Sequence, residues 1–301
     1  MPQFRLNINI DPMKKIAFIF LTALVITSCN QNKKDQTTEN TVEQTEQKQH
    51  ERIVSLNGSI SEILVDLGET ENIVGVDVTS TFPENLKETA KDLGHTSKIS
   101  IESLMSLQPT VIYFTEKELS DDLQAQLQNS GIRLEKLTQE FTVEGAKNMI
   151  KSVANSLNNN NYQPLIDKID EDISNLHTLE KKPKVLFIYA RGASMLLVAG
   201  DETPANSIIN LAGGQNAVTE FKDFKPLTPE SLLNSNPDYI LMFTTGLQSM
   251  GGVDGVLKIE GIEKTNAGKN KRIIAMDGQL LTGFSPRLGL AVKELNHLLS
   301  K

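Results

Sequence analysis

Asn161-Tyr162-Gln163-Pro164-Leu165-Ile166-Asp167-Lys168-Ile169-Asp170-Glu171-Asp172-Ile173-Ser174-Asn175-Leu176-His177-Thr178-Leu179-Glu180-Lys181-Lys182 is the stretch around which the chain is organised. Pro164 suits a first helical turn, where its missing N–H costs nothing. Leu165, Ile169, Ile173, Leu176 and Leu179 recur at spacings of three and four, with Asp167, Asp170, Glu171 and Asp172 on the other faces. The spacing predicts one amphipathic helix over residues 160–182. About 20 residues at ~1.5 Å rise make a rod of roughly 30 Å, the width of a small domain. Such a rod is either an ordinary surface helix or a spine joining two lobes. The segments on its two sides choose between these.

Those segments repeat one another. Glu102-Ser103-Leu104 precedes Pro109-Thr110-Val111-Ile112, and Glu230-Ser231-Leu232 precedes Pro237-Asp238-Tyr239-Ile240. Both follow Glu-Ser-Leu-x4-Pro-x-x-Ile, with the same spacing from glutamate to proline. Each reads as a short helix, a proline turn and a core strand. A single glutamate in a first helical turn is ordinarily a solvated residue favoured by the macrodipole. A matched pair, at equivalent points of two lobes, points to a shared recognition role.

Residues 51–159 alternate strand and helix. Strands are predicted at 53–56, 73–76, 111–114 and 132–137, and helices at 58–67, 121–129 and 142–157. Residues 183–301 repeat the plan, with strands at 185–189, 239–243 and 272–276 and helices at 205–211 and 286–299. Strands separated by helices imply a parallel or mainly parallel sheet covered on both faces. The predicted fold is α/β: two Rossmann-like lobes, each with its own core, joined by a single long rigid helix.

At the other end of the chain, Met13 begins a better start than Met1. Lys14 and Lys15, the apolar run 16–26 and Thr27-Ser28-Cys29 form a secretory signal, predicted over residues 1–28. The run is too short for a spanning helix, which needs about 20 apolar residues. Cys29 is the only cysteine, so no internal disulfide is expected to hold the lobes. Ile26-Thr27-Ser28-Cys29 resembles the lipobox of bacterial lipoproteins, which implies cleavage before Cys29 and acylation of its thiol. Without that chemistry Cys29 is a free thiol in a discarded peptide. Residues 29–50 are polar and low in complexity, and read as a tether to the folded body. The formal net charge is −8, with no long basic run, which argues against nucleic acid and anionic membrane as partners. The chain is expected to be an exported monomer, anchored by its lipid alone.

Several chemistries are missing. There is no Gly-x-Ser-x-Gly, His-Glu-x-x-His or Gly-x-Gly-x-x-Gly. Gly246 to Gly251 has the glycine spacing of a phosphate loop, but Gly252-Val253 follows where Lys and Ser/Thr are needed. His50, His95, His177 and His297 are scattered along the chain, and no nucleophile–base pair can be argued. An enzyme is the weaker hypothesis.

Arg52-Ile53-Val54-Ser55-Leu56-Asn57-Gly58-Ser59-Ile60-Ser61-Glu62, Val74-Gly75-Val76-Asp77, Thr79-Ser80-Thr81-Phe82-Pro83 and Pro226-Leu227-Thr228-Pro229-Glu230 together resemble substrate-binding proteins of heme ABC importers. So do Leu211-Ala212-Gly213-Gly214-Gln215-Asn216-Ala217-Val218, Gly251-Gly252-Val253-Asp254-Gly255 and Gly283-Phe284-Ser285-Pro286-Arg287. The resemblance covers the body from Arg52 to the C-terminus. It implies the helix-linked class III periplasmic binding protein architecture, shared with vitamin B12 and siderophore binders, with ligand in the interlobe cleft. It also implies that Glu102 and Glu230 dock on arginines of the permease, which works with its ATPase. Hemin is the implied cargo, transported rather than used as a catalytic cofactor. A corrinoid or ferric siderophore is the alternative, and a tetrapyrrole-modifying enzyme a third reading.

One position departs from the family pattern. Its heme binders commonly carry a tyrosine in the turn that here reads Ser80-Thr81-Phe82-Pro83. Phe82 has no donor atom, so it can only stack on or wall a porphyrin. His95 is then the candidate heme-iron ligand, imidazole being a common one, against a solvated loop histidine. Tyr189 and Met195, flanking the second lobe's first loop, are further candidates, although Tyr189 also suits a strand-end core position. Arg191 and Arg287 match heme propionates bidentately, against loop solvation or an interlobe salt bridge.

Overall fold

The computed structural model describes residues 51–301. The predicted signal, Cys29, the tether and His50 lie outside the described residues. In the first lobe, β1 (Ile53–Ser55), α1 (Gly58–Asp66), β2 (Ile73–Val76), α2 (Leu86–Thr89), β3 (Lys91–Asp92), α3 (Ile101–Met105), β4 (Val111–Thr115), α4 (Asp121–Asn129), β5 (Arg133–Leu137) and α5 (Val143–Ser156) follow in order. The sheet runs β3-β2-β1-β4-β5 and every pair in it is parallel.

Helix α6 (Gln163–Ser174) leads to the second lobe. There β6 (Lys184–Ala190), β7 (Leu196–Ala199), α7 (Pro204–Leu211), β8 (Gln215–Asn216), β9 (Phe224–Pro226), α8 (Pro229–Ser235), β10 (Tyr239–Phe243), α9 (Thr244–Ser249), α10 (Val253–Val256), α11 (Asn266–Lys269), β11 (Ile273–Met276), α12 (Gly278–Thr282) and α13 (Leu288–Leu299) follow. The order is β11-β10-β6-β7-β9, with β8 on β6. β6, β10 and β11 pair in parallel, but β7 runs antiparallel to both β6 and β9. This sheet is mixed, because β7 returns from β6 through a tight turn with no crossover helix.

The lobes do not have wholly separate cores. Alternate residues of a strand face opposite sides of its sheet. Val111 and Tyr113 of β4, Val185 and Phe187 of β6, and Tyr239 and Leu241 of β10 join one continuous cluster with Ile166 and Ile169 of α6. Their neighbours Ile112 and Phe114 turn to a core private to the first lobe, and Leu186, Ile188, Ile240 and Met242 to one private to the second. Burial of the shared cluster, at ~25 cal/mol per Å² of apolar surface, therefore stabilises both lobes together.

The connecting helix is shorter than the sequence spacing predicts. It has 12 residues, or ~18 Å, and stops at Asn175. The side chains of Ser174 and Asn175 donate to the Glu171 carbonyl, which ends the ladder. Two residues on, Asn296 of α13 takes the His177 backbone: its Oδ1 accepts from the His177 N–H at 2.7 Å, and its Nδ2 donates to the His177 carbonyl at 3.1 Å. Leu176 and Leu179 still pack on the shared core, but from an irregular segment. α6 lies close against α13. A Cβ on Gly289 would come within 2.8 Å of the Asp172 Cβ and 3.0 Å of the Ile169 carbonyl, so only glycine permits this crossing. Asp172, 5% exposed, is held by Lys168 at 2.8 Å and by Lys293 of α13 at 3.4 Å.

The two sequence repeats match in three dimensions. Ser100 caps α3 and Thr228 caps α8, each in a capping box closed by the serine at the third helical position, Ser103 or Ser231. Glu102 and Glu230 both stand at the second helical position and are exposed. Leu104 and Leu232 are fully buried, Gln108 and Asn236 both turn with positive φ (47° and 39°), and β4 or β10 follows.

Candidate functional site

In open α/β sheets ligands sit outside the carboxyl ends of the strands. In this protein those ends of the two sheets face one another, and a line of contacts crosses between them. From the first lobe, Ser59 donates to the Gly283 carbonyl, as does Gln139 at 3.0 Å. The rings of Phe141 and Phe284 meet edge-on at 5.5 Å. These contacts form the floor of the cleft.

The strongest crossing is ionic. Glu62, in the middle of α1, is 2% exposed. Arg287, just before α13, grips it with Nε at 2.8 Å and Nη2 at 2.6 Å, and Ser285 Oγ donates to the same carboxylate at 2.6 Å. A paired fork of this kind is the geometry in which guanidinium and carboxylate bind best. The Arg287 guanidinium also lies 3.8 Å from the centre of the Phe82 ring. Arg287 thus makes an interlobe ion pair, the alternative that its sequence context left open beside a propionate role, and it also covers Phe82.

Phe82 lies at the cleft's edge, 39% exposed, at the end of a strongly tethered turn. Asp77 accepts from the Thr79 N–H and hydroxyl and from the Ser80 hydroxyl, and Ser80 in turn meets Ser61 of α1. The turn presses onto the start of α1, where a Cβ on Gly58 would lie 2.5 Å from the Thr79 carbonyl. The Phe82–Pro83 peptide is cis.

On the second lobe, Tyr189 ends β6 half-buried, its ring 6.0 Å from Phe243 and nearly perpendicular to it. The exposed Arg191 lies over Tyr189 at 5.7 Å. Its N–H donates to the Met195 carbonyl across the β6–β7 turn, and Met195 is 46% exposed. Tyr189, Arg191 and Met195 therefore form one cluster, and Phe82 and Arg287 form another. His95 is exposed beyond the end of β3, at the edge of its sheet. Among the described residues, no hydrogen bond, ion pair or ring contact joins it to any of these side chains.

Sequence reasoning missed Glu62, Phe243, Gln139 and the Phe141–Phe284 pair. Glu62 had a signal: it interrupts the apolar run Ile60 to Leu64, and a charge inside such a run requires a buried partner. From its pattern Phe243 reads only as a strand end. The Gln139 and Phe141 contacts join residues far apart in sequence, which spacing does not predict.

A family model described as periplasmic binding protein matches residues 53–280. The chain belongs to the periplasmic binding protein family. The uncharacterized ABC transporter substrate-binding lipoprotein YvrC of Bacillus subtilis (strain 168) is 27% identical to it over 262 residues, covering 82% of this chain and 79% of the relative. Among solved structures, the periplasmic heme-binding protein RhuT from Roseiflexus sp. RS-1 in apo form matches with a TM-score of 0.79 at 35% identity, covering 83% of this chain and 98% of RhuT. The periplasmic heme-binding protein HutB of Vibrio cholerae matches with a TM-score of 0.76 at 30% identity, covering 84% of this chain and all of HutB (100%). As a periplasmic binding protein, the chain has the two-lobed α/β fold expected from its sequence.

Proposed function

We propose that the protein is the extracytoplasmic receptor of an ABC importer, capturing hemin between its lobes and delivering it to the permease without chemical change. The observation that carries this reading is the likeness, over essentially the whole folded body, to periplasmic heme-binding proteins, at up to 35% identity for RhuT. The cleft suits a flat, partly apolar, anionic ligand. Phe82, Tyr189 and Phe243 offer aromatic surface, and Arg191 is the guanidinium left free for a propionate. Tyr189 and Met195 on the second lobe carry donor atoms for iron, and Phe82 walls the ligand from the other lobe. His95, just beyond the end of β3, is the alternative iron ligand. Glu102 and Glu230, on matched exposed helix starts, are the docking carboxylates. The lipid on Cys29 is the membrane anchor, and the receptor acts as a monomer.

Titration of the purified protein with hemin, cobalamin and a ferric siderophore, followed by absorption spectra, tests the reading. Hemin should bind with a shifted Soret band. Tyr189→Phe or Met195→Ala should alter that spectrum, Phe82→Tyr should move it towards a phenolate complex, and His95→Ala should leave it unchanged. Tight binding of cobalamin or siderophore with no hemin uptake would replace the cargo and keep the receptor. Conversion of hemin to a new product would make the protein an enzyme.

A further inference from the structure

His177 and His297 are far apart in sequence, and the fold brings them together at the end of the second lobe away from the cleft. α13 starts beside Arg287 at the cleft, and His297 stands in its last turn, ~14 Å along the helix. His177 lies just beyond α6, and the two imidazoles are 5.4 Å apart, centre to centre, with planes inclined at 40°. Both residues are exposed.

The pair is held by its backbone. Asn296, adjacent to His297 and 2% exposed, accepts from the His177 N–H and donates to the His177 carbonyl and, at 3.1 Å, to the Ala212 carbonyl. That buried amide fixes the two chain segments against each other, so little backbone freedom is lost when the rings converge on one ligand. The ring spacing also fits a metal. With metal–nitrogen bonds of about 2.0–2.1 Å and a tetrahedral angle, two imidazoles on one zinc ion have centres roughly 5 Å apart.

We propose that His177 and His297 form a binding site for a borderline divalent cation such as Zn²⁺ or Cu²⁺, distinct from the cleft. Among the described residues no third His, Cys, Asp or Glu completes the pair, so water fills the remaining positions and the site is exchangeable. A cation held there cross-links the segment leaving α6, the connecting helix, to the last turn of α13, which packs against it. By mass action it stabilises the folded protein.

The test is titration of the full chain with Zn²⁺ by calorimetry, with thermal unfolding in the same solutions. Wild type should bind Zn²⁺ at a site that His177→Gln and His297→Gln each weaken by roughly tenfold or more, and that Zn²⁺-dependent rise in Tm should vanish in both. The variants alter exposed rings and should fold as wild type without metal. Metal bound at Cys29, His50 or His95 is common to all three proteins, so the difference isolates the pair. His95→Gln should keep the full effect. Unchanged Zn²⁺ affinity and Tm response in either His177→Gln or His297→Gln would overturn the proposal. Hemin binding does not enter the measurement, so the receptor reading and the metal site fail independently.

Discussion

The two lobes agree closely in one half and part company in the other. β1, β4 and β5 correspond to β6, β10 and β11, and the capped helices bearing Glu102 and Glu230 precede β4 and β10 with the same caps, the same left-handed turn and the same buried leucine. Beyond the central strand they differ. The first lobe leaves β1 through α1 and returns in parallel as β2, whereas the second turns back at once into antiparallel β7. The matched half repeats an exposed carboxylate and feeds the shared core. The divergent half carries unlike loops: a side-chain-tethered turn bearing Phe82 on one lobe, and a hairpin turn bearing Arg191 and Met195 on the other.

The largest effect should come from the ion pair that joins the unlike halves. Glu62→Ala or Arg287→Ala leaves a buried charge without its partner and should cost about 3–5 kcal/mol in urea unfolding. Replacing both with leucine should recover much of that loss. A cost below about 1 kcal/mol for either single change would mean that the core alone holds the lobes together.

Gly289→Ala should come next. Its methyl group has no room between α13 and α6, so the substitution should destabilise by about 1–3 kcal/mol. A neutral result would mean that the crossing can open without penalty.

A smaller effect is expected at Asp172, beside the same crossing. Burial opposes its charge, but Lys168 and Lys293 outweigh it and hold the carboxyl below its usual 3.8. A depressed carboxyl contributes stability that is full above its unfolded pKa and is lost as pH falls through the folded value. Asp172→Asn should therefore cost about 1 kcal/mol at pH 7, since both lysines are half exposed and screened, and the gap should close below pH ~4. A gap that persists at low pH would make the loss one of packing.

The matched half should show the smallest effect on folding. The Ser100 side chain and Glu102's own backbone N–H keep the Glu102 carboxyl below its ordinary pKa, and the side chain is exposed. Glu102→Ala with Glu230→Ala should leave the urea-unfolding midpoint close to wild type and hemin affinity intact. Transport by reconstituted permease should nevertheless fall sharply, with each single variant intermediate. Normal transport by the double variant would reduce the repeat to shared ancestry.

Local sequence pattern was enough for the strand–helix alternation, the bounds of most of the elements it predicts and the internal repeat. β10 spans the five residues its apolar run predicts, α4 runs Asp121–Asn129 as its pattern does, and Thr142 caps α5. These are local properties of periodicity, caps and turns, which neighbouring residues carry. Long-range packing settled the rest. Leu176 and Leu179 continue the helical spacing of α6, yet the Asn296 amide takes the His177 backbone out of the helix, and no pattern near His177 announces a residue that distant in sequence. Arg287 and Glu62, and His177 and His297, are likewise separate signals until the fold closes. A side chain's type is written locally, but whether its charge or lone pair meets a partner depends on long-range packing.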